Sequence, residues 1–259
     1  MTKIITIANT KGGTGKTTTA INLGWELSRI DGPVLLIDAD PFKGLLNALN
    51  IDNSKAPGLI EAVKTRSYSD ETIFNISDSE LSFMGIGNID INNMHAYESA
   101  LKESSVSALA AQLADRFKYI IIDAPSSSVT VLKALISSSD SVLIPVETRN
   151  LSIKSLPIIL NMIQNLRMLT KKDIKLEGIL LTKMDCTSPA EREIRDKITA
   201  SLPKDSVFKT IIAFDRQMEQ ASIDSIPVSL VNERKIPIGT YKDLAGEILS
   251  RHNHTGGDL

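Results

Sequence analysis

The stretch KIITIANTKGGTGKTT, residues 3–18, decides the fold. It begins as a short apolar run and continues into a turn that contains Gly12, Gly13 and Gly15, and an apolar-periodic pattern then starts at Lys16. Glycines let backbone N–H groups point inward around a phosphate without side-chain clashes, and a helix that starts there adds the positive end of its dipole. The stretch therefore predicts a strand, a phosphate-binding turn and a helix, in that order.

The polar side chains of this turn predict Mg-ATP as the ligand. In such a loop a lysine at Lys16 reaches the β and γ phosphates, and a hydroxyl at Thr17 ligates Mg²⁺. Thr14 and Thr18 complete the predicted nucleotide contacts. The alternative is a tight strand–helix turn without a ligand, which does not call for these lysines and paired threonines. The loop also departs from the general pattern, because Thr10 replaces a glycine and a further lysine, Lys11, follows it.

Composition bounds the class of protein. The 259 residues are 42% hydrophobic and 23% charged, which is globular composition, and the net charge of −2 excludes a strongly basic nucleic-acid module. Acidic residues predominate in residues 51–110 and basic ones in residues 151–220, so we expect any polyanion-binding face in the second half. Cys186 is the single cysteine, which excludes an intrachain disulfide framework or a Cys-based metal cluster. No apolar run reaches membrane-spanning length, and residues 1–3 leave no room for a signal peptide, so we expect a cytoplasmic protein without a membrane contact.

Short apolar runs alternate with helical patterns, which predicts an α/β fold. We expect a doubly wound, mostly parallel sheet with helices on both faces, as in P-loop NTPases, because the strands are continuously apolar. The predicted strands are Lys3–Ala8, Val34–Ile37, Leu81–Ile86, Tyr119–Ile122, Ser141–Val146 and Gly178–Leu181. The predicted helices are Lys16–Ile30, Met94–Arg116, Val129–Ser138, Ser152–Leu169 and Pro189–Ser201. Residues 1–250 are predicted to form a single ATPase domain, and the polar residues 251–259 a flexible tail.

Acidic side chains follow two of these strands. Asp38 and Asp40 come after one, and Asp123 ends another. The carboxyl ends of parallel strands form the edge at which α/β sheets bind ligands, so we expect all three carboxylates near the phosphate loop. Two alternatives stay open: Asp40 as the N-cap of a helix at Leu45–Asn50, and Asp123 as part of a plain turn.

Three motifs together resemble the ParA/MinD superfamily of deviant Walker A P-loop ATPases. They are Lys-Gly-Gly-x-Gly-Lys-Thr at residues 11–17, Asp-x-Asp-Pro at residues 38–41, and the Walker B-like strand at residues 119–125. The resemblance implies ATP and Mg²⁺ as cofactors and a nucleotide-driven homodimer. Its implied catalytic residues are Lys11, which contacts the partner subunit's nucleotide, Lys16, and Asp40, which positions or deprotonates the attacking water. Its implied metal-site residues are Thr17, Asp38 and Asp123.

The resemblance extends more weakly toward the C-terminus and includes one clear departure. The usual Gln-Gly after the first acidic motif is replaced by Phe42-Lys43 before Gly44. The stretch at residues 178–185 implies that Thr182 contacts adenine, the alternative being a strand followed by a helix cap. Arg216 stands in the place of a recurring arginine within residues 208–226, whereas Ala213 replaces the usual proline.

Within the superfamily, the chain most resembles small ParA-type partition ATPases. The single cysteine excludes iron–sulfur relatives, and residues 251–259 lack a MinD-type membrane helix. The resemblance implies non-specific DNA binding, nucleoid association, and a centromere-binding or other protein that stimulates slow ATP hydrolysis during plasmid or chromosome segregation. The DNA candidates are Lys171, Lys172, Arg192, Arg195, Lys204 and Arg216, with a solvated helix as the alternative for residues 189–201. Two other functions stay open: a positioning ATPase without DNA binding, MinD-like or conjugation-related, and a small-molecule ligase of the dethiobiotin synthetase kind.

Overall fold

A central sheet brings the predicted strand ends together. The structure, a computed structural model, describes residues 2–48, 56–76, 79–90, 92–148, 155–214 and 239–255. The strands are β1 (Lys3–Ile7), β2 (Val34–Asp38), β3 (Phe74–Asn75), β4 (Leu81–Met84), β5 (Tyr119–Asp123), β6 (Ser141–Glu147), β7 (Lys175–Met184) and β8 (Val207–Ala213). The helices are α1 (Lys16–Ile30), α2 (Gly44–Ala48), α3 (Leu59–Thr65), α4 (Met94–Ala100), α5 (Glu103–Leu113), α6 (Val129–Ser138), α7 (Leu156–Thr170), α8 (Pro189–Ser201) and α9 (Gly239–Thr255), with a 3-10 turn at Asp70–Thr72.

The order of the strands places the site. The sheet runs β3-β4-β2-β5-β1-β6-β7-β8, and every neighbouring pair is parallel except β3 with β4. Asp123 at the end of β5 lies opposite Ile7 of β1 on one side and Asp38 of β2 on the other. The carboxyl ends of β1, β2 and β5 therefore meet at one edge, which we call the upper edge, and the predicted doubly wound sheet is confirmed.

Apolar side chains bury both faces of the sheet. On one face, α3 to α8 pack against alternate residues of the strands, such as Ile120 and Ile122 of β5. On the other face, α1, α2 and α9 pack against the intervening residues, such as Tyr119 and Ile121. Strand β5 is fully buried between these two layers, which explains why the four residues before Asp123 are three isoleucines and a tyrosine.

Several predicted boundaries are corrected by the structure. The predicted helix Met94–Arg116 is two helices, α4 and α5, because Leu101 and Lys102 leave helical geometry with ψ angles of 63° and 153°. No glycine or proline marks that break in the sequence. The predicted strand Gly178–Leu181 extends over Lys175–Met184, and α7 begins at Leu156, the predicted start at residue 152 lying outside the described residues. Strands β3 and β8 and helices α3 and α9 were not predicted, and α2 was considered only as the helix in the capping alternative for Asp40.

The prediction of a flexible tail from residue 251 is wrong for its first part. Helix α9 continues to Thr255. The Arg251 guanidinium donates to the carbonyl oxygens of Glu177 and Val207 at 3.2 and 3.1 Å, and it lies 4.2 Å from the centre of the Phe208 ring. These contacts fix the end of the helix against β7 and β8. None of the helices in the described ranges is long and apolar enough to cross a membrane.

Candidate functional site

The glycine-rich turn lies directly between β1 and α1, as predicted. Gly13 and Gly15 have φ angles of 76° and 86°, in the left-handed region that residues with a Cβ atom rarely occupy. Gly15 immediately precedes the first turn of α1, which has no acidic side chain, so its free N–H groups are open to an anion. The local conformation is therefore that of a phosphate-binding loop.

Lys16 crosses this loop from the start of α1. Its side chain is largely buried, and its Nζ donates to the carbonyl oxygen of Lys11 at 3.2 Å. Burial lowers the pKa of Lys16, while the nearby carboxylates of Asp123 and Asp40 raise it in opposition. A buried ammonium group held beside the open N–H groups of α1 is suited to bind the charge of a phosphate.

Thr17 and Asp123 form the clearest candidate for a metal site. The Thr17 hydroxyl donates to Asp123 Oδ2 at 2.6 Å, whereas the buried Oδ1 of the same carboxylate has no hydrogen-bond partner. Burial raises the pKa of Asp123 to about 7, with the Thr17 hydrogen bond and Lys16 opposing the shift. An unsatisfied buried carboxylate oxygen beside a hydroxyl fits a hard cation or its water ligand. Over the described ranges no three His, Cys, Asp or Glu side chains group into a candidate metal site.

Asp38 is tied to the backbone of the segment that follows β2. Its carboxylate accepts the N–H groups of Asp40 at 3.0 Å, Leu45 at 3.0 Å and Leu46 at 3.4 Å, and the residue is fully buried. Burial, followed by the Asp123 charge, raises the pKa of Asp38 to about 8. Asp38 therefore holds the loop after β2 and the start of α2, and its support of a metal hydration shell stays a prediction.

Asp40 lies on that loop with a different geometry. Its Oδ1 accepts the N–H of Phe42 at 2.9 Å, and its carbonyl oxygen accepts the N–H of Lys43. The helix-capping alternative for Asp40 is not supported, because Asp38 is the residue that accepts N–H groups from the first turn of α2. Burial is the largest influence on the pKa of both Lys16 and Asp123, and the charge of Asp40 also acts to raise each of them.

Lys11 stands at the mouth of the loop beside an acidic residue that the sequence reasoning gave no role. Its Nζ lies 3.8 Å from Oε2 of Glu147 at the end of β6, and about a third of its side chain is exposed. Its own N–H donates to Asn9 Oδ1, which fixes the backbone. The role of Lys11 on a partner's nucleotide stays a prediction.

Thr182 lies beneath the loop and not beside an open base-binding surface. Its hydroxyl donates to the carbonyl oxygen of Thr14 at 2.9 Å, and only 2% of the residue is exposed. Its side chain also lies within 3.9 Å of the position that a Cβ atom on Gly15 would take. Because its donor is used and its surface is buried, Thr182 supports the phosphate loop, and its position does not support the predicted adenine contact.

The predicted DNA-binding residues do not form one cluster. Lys171 and Lys172 lie just before β7 and Lys204 just before β8, at the lower edge of the sheet, opposite the phosphate loop. Arg192, in contrast, lies in the first turn of α8 near the upper edge and donates to the Cys186 carbonyl oxygen. Arg195 is paired with Asp196 at 2.8 Å. Arg216 lies outside the described residues.

Two residues of α4 belong to the site and carry no sequence motif. The Tyr97 hydroxyl donates to the carbonyl oxygen of Ala39 at 2.7 Å, and the Glu98 carboxylate accepts the Ser128 hydroxyl at 2.6 Å. In the sequence they are ordinary members of a helical pattern, and only the packing of α4 over the strand ends brings them to the site.

Comparisons with known proteins agree with this geometry. The family described as AAA domain matches residues 2–176. The sporulation initiation inhibitor protein Soj of Bacillus subtilis (strain 168) is 27% identical over 257 residues, covering 96% of this chain and 98% of Soj. The structure of apo McdA from Cyanothece has a TM-score of 0.82 and 25% identity, covering 96% of this chain and 100% of McdA. Cobyrinic acid a,c-diamide synthase from Mycobacterium smegmatis, solved with ADP and magnesium, has a TM-score of 0.78 and 25% identity. The match covers 100% of this chain and 98% of the synthase.

Proposed function

The chain belongs to the family described as AAA domain and to the ParA/MinD superfamily of P-loop ATPases. We propose that it forms a nucleotide-driven dimer, that it hydrolyses ATP slowly, and that it works in partition or positioning. The observation that carries this proposal is the buried Lys16 next to the Thr17–Asp123 pair, whose Oδ1 is unsatisfied. These are the groups that a magnesium–triphosphate complex requires at the start of a helix.

The side chains divide the work of hydrolysis between them. Lys16 and the free N–H groups of α1 hold the phosphates, and Thr17 and Asp123 are the residues that would hold Mg²⁺. When bound, the metal supplies positive charge against the charge that develops on the phosphoryl oxygens. Asp40 orients the attacking water from the loop after β2, and Asp38 fixes that loop through three backbone N–H groups. Catalysis is thus positioning and charge stabilisation by residues of three adjacent strand ends.

Lys11 connects nucleotide binding with dimer formation. Within one chain it lies close to Glu147, so its charge is partly balanced there. In the proposed dimer, Lys11 leaves Glu147 and binds the triphosphate in the partner subunit. The triphosphate carries more negative charge than the single carboxylate of Glu147, so it attracts the Lys11 ammonium group more strongly. ATP then favours the dimer, and hydrolysis removes that preference.

Light scattering with a non-hydrolysable ATP analogue and Mg²⁺ tests this step. The wild-type chain should double in mass, and Lys11→Ala should stay monomeric while it retains most of its nucleotide affinity. Lys102→Ala, a change of an exposed lysine at the start of α5, is the matched control and should dimerise like the wild type. Dimerisation of Lys11→Ala to the wild-type extent would refute the role of this lysine across the interface.

We further propose that the dimer binds DNA non-specifically and that a centromere-binding or other partner protein accelerates hydrolysis. Lys171, Lys172 and Lys204 support this proposal, because they precede the neighbouring strands β7 and β8 at the lower edge, away from the nucleotide. Lys171 and Lys204 are exposed, and Lys172 is half-buried and donates to the Ser137 carbonyl oxygen at 3.3 Å. Binding of random duplex DNA with and without ATP is the test. A positioning ATPase without DNA binding would show ATP-dependent dimers but no gain in DNA affinity.

A small-molecule ligase is the second candidate. The similarity to cobyrinic acid a,c-diamide synthase, which was solved with ADP and magnesium, favours it. A ligase needs a second substrate beside the phosphates and turns over ATP only when that substrate is present. ATP hydrolysis by the purified chain in the presence of DNA, without any second small-molecule substrate, would therefore distinguish the partition ATPase from the ligase.

A further inference from the structure

Helix α4 touches both loops that carry the acidic residues of the site. We call residues 38–44 the first acidic loop and residues 123–128 the second acidic loop. Tyr97 donates its hydroxyl to the Ala39 carbonyl oxygen of the first loop at 2.7 Å. The next residue, Glu98, accepts the hydroxyl of Ser128, the last residue of the second loop, at 2.6 Å. Adjacent residues of one short helix thus hold two different loops.

The Tyr97 contact fixes the peptide between the two aspartates of the first loop. The N–H of Ala39 donates to the Asp123 carbonyl oxygen at 3.1 Å, so Tyr97 satisfies the remaining backbone group of Ala39. Both residues are buried, and without the hydroxyl a buried carbonyl oxygen would lose its partner. Burial, and next the charge of Asp40, raise the pKa of Tyr97, which keeps its hydroxyl a donor.

The Glu98 contact orients the residue that starts α6. Ser128 is the N-cap of this helix and accepts the N–H of Val131 at 3.2 Å with the same hydroxyl that it donates to Glu98. A hydroxyl has one proton, so the carboxylate determines where that proton points and leaves a lone pair for the cap. Glu98 therefore stabilises the end of the second loop.

From these contacts we propose that Tyr97 and Glu98 form a positioning pair that couples the two acidic loops through α4. Through α4, a shift of one loop is transmitted to the other unless one of the two hydrogen bonds breaks, and this path adds to the direct hydrogen bond from the Ala39 N–H to the Asp123 carbonyl oxygen. Tyr97 also lines a cavity of about 160 Å³ together with Ile60 of α3, Asn88 and Asn93. The inference rests on the proposed ATPase for its effect on turnover, but the coupling itself is a property of the chain without nucleotide.

The kinetic test uses Tyr97→Phe and Glu98→Ala. Each should lower kcat about tenfold and change ATP affinity less than about twofold, because the pair orients the hydrolytic loop and touches none of the phosphate-binding groups. The double variant should lose less than the product of the two single losses, because both act through one element. Glu98→Gln, whose amide oxygen accepts the Ser128 hydroxyl, should restore most of kcat.

Tyr119→Phe is the matched control. The Tyr119 hydroxyl is also hydrogen-bonded, to Asp31 at 2.6 Å, but it lies at the opposite end of β5 from the site. This variant should lose stability as Tyr97→Phe does and keep its kcat. Equal kcat values for the wild type, Tyr97→Phe and Tyr119→Phe would overturn the positioning role.

Hydrogen exchange tests the coupling separately from ATP hydrolysis. In the chain without nucleotide, Glu98→Ala should increase amide exchange at Ala39, Asp40 and Phe42, which Glu98 does not contact, and Tyr97→Phe should increase it at residues 129–131. Exchange that rises only in the loop directly contacted would overturn the coupling. A wild type without magnesium-dependent ATP turnover would instead contradict the proposed ATPase, and the exchange result would still decide the coupling.

Discussion

In the proposed ATPase, Lys16 is the residue on which nucleotide affinity depends most directly. Its buried ammonium group lies beside the free N–H groups of α1 and near the carboxylates of Asp123 and Asp40. Lys16→Ala should weaken Mg-ATP binding by a factor of about 100 or more, because it removes a charge-assisted contact and leaves the two carboxylates to repel the triphosphate. Equilibrium titration with a fluorescent ATP analogue measures this. Lys133→Ala, at an exposed position of α6, should bind like the wild type, and equal affinities of the two variants would contradict the assignment.

Asp40 should affect turnover and not binding. Asp40→Asn keeps the acceptor for the Phe42 N–H, so the loop retains its shape. It removes the charge that, in the proposed mechanism, orients or deprotonates the attacking water. We expect kcat to fall about 100-fold, the usual magnitude for loss of a general base, with nucleotide affinity within about threefold of the wild type. Single-turnover hydrolysis measures the first quantity and equilibrium titration the second. Unchanged single-turnover rates would remove Asp40 from the mechanism.

At the scale of elements, one buried carboxylate joins four parts of the fold. Glu177 on β7 lies 2.8 Å from Lys3 of β1 and 2.6 Å from His252 of α9, and it accepts the Ser141 hydroxyl of β6. Although burial opposes the shift, the hydrogen bonds and charges of His252 and Lys3 lower the pKa of Glu177 to about 2. A carboxylate whose pKa falls on folding stabilises the fold above its unfolded pKa of about 4.5 and loses that stabilisation as pH falls toward 2.

Glu177→Gln should therefore lower the free energy of unfolding by about 3 kcal/mol at pH 7, and the difference from the wild type should shrink as pH falls from about 4.5 to 2. Urea unfolding at pH 7, 4 and 3 measures this dependence. Glu193→Gln is the control, because the exposed Glu193–Lys197 pair on α8 should contribute little. A difference between Glu177→Gln and the wild type that stays constant with pH would show that the charge of Glu177 does not stabilise the fold.

Elements with strong local signals were predicted best. Helices α1, α6 and α8 have the predicted bounds, and for α8 the reason is visible in the sequence, where Ser188 caps the helix and Pro189 starts it. The break between α4 and α5 was missed, because it depends on the packing of Leu101 and not on a breaking residue. Helix α9 was missed for a related reason, since Arg251 and His252 read as a polar tail until β7 and β8 are placed beside them.

The same distinction applies to the site. The phosphate loop is contiguous in the sequence, so its glycines, lysines and threonines were found from their spacing. The use of the Asp38 carboxylate by Leu45 and Leu46, the position of Thr182 under Thr14, and the reach of Tyr97 to Ala39 are contacts between separate segments. No local pattern predicts them, because each depends on the register of neighbouring strands and on the packing of a helix over their ends.

At the scale of the whole molecule, the proposed function separates a nucleotide edge from a DNA edge. Lys171 and Lys172 lie before β7 at the lower edge, where the parallel strands begin, and the phosphate loop lies at the upper edge, where they end. Arg192 lies near the upper edge. Replacing both lysines with glutamine should weaken DNA binding by the ATP-bound dimer. The slope of log affinity against log salt concentration should also become less steep, by about 2 for each subunit in contact with DNA. The reason is that DNA binding releases about one counterion for each phosphate contact, and each variant subunit has lost two such contacts.

Arg192→Gln with Arg195→Gln is the competing variant. Arg195 is already paired with Asp196, and Arg192 donates to a backbone carbonyl oxygen, so we expect this double change to alter the salt slope less than the lysine pair does. Fluorescence anisotropy with random duplex DNA at several salt concentrations measures both slopes. If each variant dimerises with ATP to the same extent as the wild type, its nucleotide edge is intact. A larger loss for the arginine pair would move the DNA-binding surface to α8, next to the nucleotide. ATP would then act on DNA binding through neighbouring residues, and the separation of the two edges would be wrong.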